Sequence, residues 1–209
     1  MAKKKLRPAQ NIEVRQNIKD SKFFASIFSV NSRENAEERI NEIKEKYNDA
    51  THNVSAFRVE DGKNEALEYF DDDGEPAGSS GPPVLEAIKG ANLLNTVIIV
   101  TRYFGGTKLG IGGLIRAYGG TARLAIEEAG IEELNEFHKI VVEIGFNKIG
   151  IVLAQLEAVK AKIKNSKYNN EGALVSAEIP ADILNDFKKR LKEKTAGDYK
   201  LKIESTIFK

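Results

Sequence analysis

The sequence predicts an α+β protein of two consecutive domains, residues 1–135 and 136–209. Three observations carry that reading. Runs rich in Phe, Ile and Val, which favour strands, alternate with amphipathic helical stretches along the chain. Eleven of the 17 glycines crowd between Gly74 and Gly120. After Gly130 the texture changes, and the remaining segments follow one another as βαββαβ.

Residues 22–30 (KFFASIFSV) read as the first strand. Asn31 with Glu34 has the spacing of a capping box. Ala36, Ile40, Ile43 and Tyr47 then recur at helical spacing, which predicts an amphipathic helix over 33–47. Strands follow at 53–59 and 65–70. The stretch from Asp71 to Pro83, DDDGEPAGSSGPP, is a loop by composition. A short helix (84–91) leads to a strand at 95–103, and a second glycine-rich loop opens a helix over 114–128. In the C-terminal part, strands are expected at 137–146, 167–170, 173–179 and 199–207, with helices at 148–164 and 181–194. The order βαββαβ over about seventy residues is the split-βαβ pattern of a ferredoxin-like domain.

Composition excludes much chemistry. The chain has 209 residues and no cysteine, so disulfides, thiolate zinc sites and cysteine nucleophiles are absent, and a reducing cytoplasmic setting is expected. Two histidines, His52 and His138, are too few for a histidine-rich metal site. The apolar run Val97–Val100 is far too short to span a bilayer, and no membrane partner is expected. The basic start, MAKKKLRP, has no apolar run behind it and is not a secretory signal. Net charge is +1, unevenly spread: residues 1–136 hold 18 Lys+Arg against 22 Asp+Glu, residues 137–209 hold 14 against 9. The basic C-terminal part fits an anionic partner, or a chance spread of solvated charges.

Two loops carry the functional information. In the second, Gly105, Gly106, Gly110, Gly112 and Gly113 lie between a strand and a helix start. Unpaired amide N–H groups and the helix dipole there attract anions. Arg102, Lys108, Arg116 and Arg123 surround the loop, with no acidic residue between Ala91 and Ile126. Phosphate is the expected anion, although neither the Walker A pattern nor the dinucleotide GxGxxG spacing is present. Tyr103, Phe104 and Tyr118 add aromatic faces suited to stacking bases, with Phe104 read as core. The first loop is acidic. Asp72, Asp73 and Glu75 are open to two readings, oxygen ligands for a divalent cation or turn capping and ion pairing with nearby arginines, and the second leads. His52 reads as a structural histidine. Ser79 and Ser80 lack a nucleophile elbow, and no catalytic residue is assigned.

DDDGEPAGSSGPPVL (71–85) and VTRYFGGTKLGIGGLIRAYGGTA (100–122) closely resemble the signature stretches of the IMPACT family, in its bacterial branch. KDSKFFASI (19–27) and DATHNVSAFRV (49–59) are similar to that family's upstream segments. The resemblance implies an N-terminal domain of ribosomal-protein-like βαβ fold and a C-terminal domain akin to the last domains of elongation factor G. Eukaryotic members regulate translation under amino-acid starvation through an additional interaction domain.

The function expected first is therefore a non-enzymatic cytosolic factor without a cofactor, which binds RNA or the ribosome and regulates translation. Arg102, Lys108, Arg116 and Arg123 would contact phosphates and Tyr103 would stack on or position a base. Two alternatives stand beside it. One is a protein-interaction module, with a translation-related partner and no nucleic acid. The other is a Mg²⁺-dependent enzyme or binder acting on a phosphorylated small molecule or nucleotide, since GHMP kinases share a glycine-rich loop entering a helix.

Overall fold

The computed structural model describes residues 5–60 and 66–208. It contains a five-stranded, a four-stranded and a two-stranded sheet and five α-helices among those residues. The chain divides into two compact units, Met1–Glu133 and Leu134–Lys209. No helix among the described residues is long and apolar enough to cross a membrane.

The first unit begins with β1 (Lys5–Pro8), β2 (Ile12–Ile18) and β3 (Ser21–Ser29), then α1 (Arg33–Lys46). It continues with β4 (His52–Glu60), β5 (Ala66–Asp71), α2 (Gly81–Gly90), β6 (Thr96–Tyr103) and α3 (Ile111–Ala129). Five strands form an antiparallel sheet in the order β2-β3-β6-β4-β5. Both faces of β6 are buried, which explains its unbroken apolar run. Ile98 and Val100 enter the core beneath α2 and α3, while Val97 and Ile99 pack with Ala36, Ile40 and Ile43 of α1. The pleat sends successive residues to opposite faces. Arg102 therefore follows Ile98 and Val100, and Tyr103 follows Val97 and Ile99.

Several expectations change. The strand β2 was not predicted, although Ile12, Val14, Gln16 and Ile18 alternate with exposed residues along it. The Asn31–Glu34 capping box is not formed. Ser32 is the N-cap, its hydroxyl accepting from the Asn35 amide at 3.2 Å. Helix α2 starts at Gly81 and holds Pro82 and Pro83 in its first turn, where proline's missing N–H costs nothing. Helix α3 starts at Ile111, so Gly112 and Gly113 are helical rather than loop residues. Residue 65, at the expected strand start, lies outside the described residues.

A short strand β7 (Ile131–Leu134) pairs with β1. The second unit then runs β8 (Glu136–Gly145), α4 (Ile149–Ala158), β9 (Lys162–Tyr168), β10 (Gly172–Pro180), α5 (Leu184–Thr195) and β11 (Lys200–Phe208). Its antiparallel sheet has the order β11-β8-β10-β9. Its core joins Ile140, Val142 and Ile144 of β8 and Val175 and Ile179 of β10 to Val152 and Leu156 of α4 and Phe187 and Leu191 of α5. The helix expected to reach residue 164 stops at Ala158, and Lys160 has φ +52. Lys162–Tyr168 pairs with β10 instead, so sheet pairing overrides the helical preference of that lysine-rich stretch.

One glycine fixes how the second glycine-rich loop sits. A Cβ at Gly105 would collide with the backbone of Asp20, whereas one at Gly90 meets nothing within 4 Å. Gly105→Ala is expected to cost about 2–3 kcal/mol, the upper range for overpacking. Gly90→Ala is expected to be near neutral, both variants being compared by urea titration.

Candidate functional site

The acidic loop is organised by its own carboxylates. Asp72 accepts from the amides of Gly78 (2.7 Å), Ser80 (3.0 Å) and Gly81 (2.8 Å), closing the loop and capping α2 from a distance. Asp73, in the left-handed region at φ +47, accepts from the Asn53 amide at 2.6 Å and from Lys44 Nζ at 2.8 Å. Among the described residues no three His, Cys, Asp or Glu side chains group to hold a metal ion. Each of these carboxylates faces a different partner, so the metal reading of Asp72, Asp73 and Glu75 gains no geometric support, and the capping and ion-pair reading describes what they do.

Glu75 goes furthest inward. Its side chain is 4% exposed and accepts from Arg102 Nη1 at 2.6 Å and from the Tyr118 hydroxyl at 2.8 Å, both on Oε1. The Arg102 side chain is 6% exposed, and its guanidinium carbon lies 5.5 Å from the Phe23 ring centre and 5.3 Å from that of Phe104. Arg102 Nη2 reaches Ser21 Oγ at 3.4 Å, and its Nε is buried with no hydrogen-bond partner. Burial pushes the Tyr118 hydroxyl far above its ordinary pKa, and the neighbouring Glu75 charge adds to the rise. The trio thus links the acidic loop, the end of β6 and the middle of α3 in a low-dielectric setting.

This arrangement corrects four expectations. Arg102 is not an open phosphate contact: the lack of nearby acid in sequence is met by Glu75, brought in from the other loop. Tyr103 does not stand beside Arg102, because the pleat places it on the α1 face. There it packs against Phe24 and Tyr47 and donates to Asp49 at 2.6 Å, which holds its pKa up at about 12. Tyr118 is fully buried, edge-on to Phe23, and offers no exposed ring. Phe104, expected in the core, is 44% exposed.

The second loop is tied down at its start. The Phe104 amide donates to Thr51 Oγ1 at 3.0 Å, the Gly105 amide to Ser21 Oγ at 3.2 Å and the Thr107 hydroxyl to Asp20 at 2.5 Å. Gly110, at φ +71, turns the chain into α3 and places no side chain over the helix end. The first intrahelical donor is the Leu114 amide, so the amides of Ile111, Gly112 and Gly113 precede the hydrogen-bonded ladder. Lys108, Arg116 and Arg123 are exposed, and none has an ion-pair partner among the described residues. Arg116 and Arg123 lie seven residues apart on one face of α3. Cβ atoms at Gly112 and Gly119 would sit 3.6 and 3.2 Å from their respective guanidinium groups. Small residues on that stripe leave room for both side chains.

Between the loops lies a cleft of about 420 Å³. Its polar wall is His52, Glu75 and Arg102, and its apolar side includes Phe104, Leu109, Ile111 and Leu114, with Lys108 at the rim. His52, read from the sequence as structural, is part of this wall. Its Nδ1 lies 2.8 Å from the Asp73 carbonyl, which only accepts. Nδ1 therefore carries a proton, and in the neutral ring the lone pair is on Nε2, 3.9 Å from Glu75 Oε1. The signal available for His52 was its place at a strand start next to a signature stretch.

Residues 19–126 match the family model described as the Impact N-terminal domain. The chain belongs to the IMPACT family. It is 33% identical over 185 residues to the IMPACT family member YvyE of Bacillus subtilis, covering 88% of this chain and 84% of that one. It is 28% identical over 194 residues to the IMPACT family member YigZ of Escherichia coli, with 93% and 95% covered. A crystal structure of a hypothetical protein superposes with a TM-score of 0.71 at 28% identity over 96% of this chain and 97% of that one. Both loops that meet at the cleft lie inside the matched IMPACT region.

Removing Glu75 should be costly, because Arg102 would remain buried without its counter-charge. Glu75→Ala is expected to lower folding free energy by about 3–5 kcal/mol, read from the urea midpoint by tyrosine fluorescence. Glu68→Ala, at an exposed ion pair with Arg58, should cost under about 1 kcal/mol.

Proposed function

We propose that this IMPACT family protein is a non-enzymatic cytoplasmic factor that binds RNA, in the setting of the ribosome, and thereby regulates translation. The observation that carries the proposal is the free cation stripe of α3. Lys108 in the loop before α3 and Arg116 and Arg123 along it are exposed and without ion-pair partners among the described residues, and the helix start has three amides ahead of its ladder. In a chain with 32 basic and 31 acidic residues, exposed cations without ion-pair partners on one helix and the loop that leads into it are suited to a run of phosphates. The family's translation role in eukaryotes supports the same reading. So does the βαββαβ order of the second unit, taken as ferredoxin-like and akin to elongation-factor domains, next to a ribosomal-protein-like first unit.

A second reading rests on a different observation. Phe104, Ile111 and Ile115 are 44%, 63% and 43% exposed around the same helix end, an apolar cluster suited to a protein partner. Capture of such a partner that survives nuclease and high salt would favour it.

The test is fluorescence anisotropy with a short labelled oligo(U) across a salt series. Lys108→Ala, Arg116→Ala and Arg123→Ala combined should weaken binding at least ten-fold. They should also lower the slope of log K against log salt by about 2, as expected for three phosphate contacts on a single strand. No binding by the wild type at low salt would overturn the proposal.

A further inference from the structure

The cation stripe leaves the cleft unexplained. Its volume of about 420 Å³ is within the range of small-molecule sites, and its walls divide into two chemistries. At one end are hydrogen-bond acceptors. Glu75 is more than nine-tenths buried and has both its protein bonds on Oε1, leaving Oε2 without a partner among the described residues. In the neutral form of His52 the Nε2 lone pair lies 3.9 Å from Glu75 Oε1, with the Nδ1 proton held by the Asp73 carbonyl. Elsewhere the lining carries donors and positive charge: Lys108 and, at the start of α3, Ile111, whose amide precedes the helical ladder. Phe104 offers an exposed ring face and Leu109, Ile111 and Leu114 an apolar surface.

A ligand that satisfies this cleft has adjacent N–H donors, a flat ring and an anion. Among nucleobases, guanine alone puts two donor groups, N1–H and N2–H₂, side by side. Adenine and cytosine place a donor next to an acceptor, and uracil flanks its N–H with two carbonyls. An acceptor pair made by a carboxylate and a neutral imidazole matches guanine and repels the carbonyl edges of uracil. Stacking on Phe104 suits any base, and a phosphate suits Lys108 and the helix end.

We propose that the cleft binds a guanosine monophosphate unit, its base on Glu75 and His52 and stacked on Phe104, its phosphate on Lys108 and the start of α3. The unit comes either as a free nucleotide or as an unstacked guanosine of an RNA. The second source rests on the RNA reading above, and the first does not. Arg102 Nη1, 2.6 Å from Oε1, fixes the Glu75 carboxylate in place and leaves Oε2 to accept.

The test is isothermal titration of the wild type with GMP, AMP, UMP and inorganic phosphate. GMP is expected to bind, with AMP and UMP weaker by about ten-fold or more. Phe104→Ala, at an exposed position, is expected to weaken GMP by about ten-fold. His52→Ala is expected to shrink the preference for GMP over UMP while leaving inorganic phosphate unchanged. Labelled oligo(U) and a guanosine-containing oligomer separate the sources. A guanosine oligomer that outbinds oligo(U) and is displaced by GMP supports the RNA source, and GMP binding without oligomer binding supports the free nucleotide. No GMP binding at millimolar concentration, or phosphate binding as tightly as GMP, overturns the proposal. Oligo(U) binding in that event leaves the cation stripe standing by itself.

Discussion

The ion pair between Glu75 and Arg102 is the constraint on which the site depends. It joins a loop that precedes α2 to the last turn of core at the end of β6, and through the Tyr118 hydroxyl it reaches α3. Burying two charges carries a large desolvation cost, and the geometry offsets it with a short hydrogen bond, two aromatic faces and a second donor to the same carboxylate oxygen. A hydrophobic pair of similar volume would hold the core as well. What it would not do is place one polar carboxylate oxygen, a histidine and a glycine-rich helix start around a common space.

Segregation of charge follows from this pair. With Arg102 neutralised inside, the positive charge that remains available lies further out, on Lys108, Arg116 and Arg123. The inner cleft and the outer stripe are thereby different in kind: one combines hydrogen-bond acceptors with an aromatic face, the other presents exposed cations over a helix whose glycines leave room for them. Asp72 closes the acidic loop beside the cleft, and the Asp73 carbonyl orients His52 in its wall.

Much of the fold was legible in the sequence because its signals are local. Apolar runs rich in Phe, Ile and Val mark β3 and β6, the period-3.6 pattern marks α1, and the βαββαβ order of the second unit follows from the succession of its segments. Misreadings arose where pairing between distant segments decided the outcome, as at Lys162–Tyr168, which becomes a strand only because β10 accepts it. At the site, the glycine loop, Lys108, Arg116 and Arg123 were identifiable from composition and spacing. The burial of Arg102 was also within reach, since Ile98, Val100 and Arg102 share one face of a predicted strand. Its partner was not, because Glu75 lies 27 residues away and nothing local singles it out from Asp72 and Asp73.

The most direct test of this account is a double-mutant cycle on folding stability with Glu75→Gln and Arg102→Met, measured by urea denaturation singly and together. The account predicts strong coupling, about 1–3 kcal/mol, with the double variant less destabilised than the sum of the single ones because no charge is left buried alone. Additivity to within about 0.5 kcal/mol would contradict it and would mean that the two loops are held together by something other than this pair.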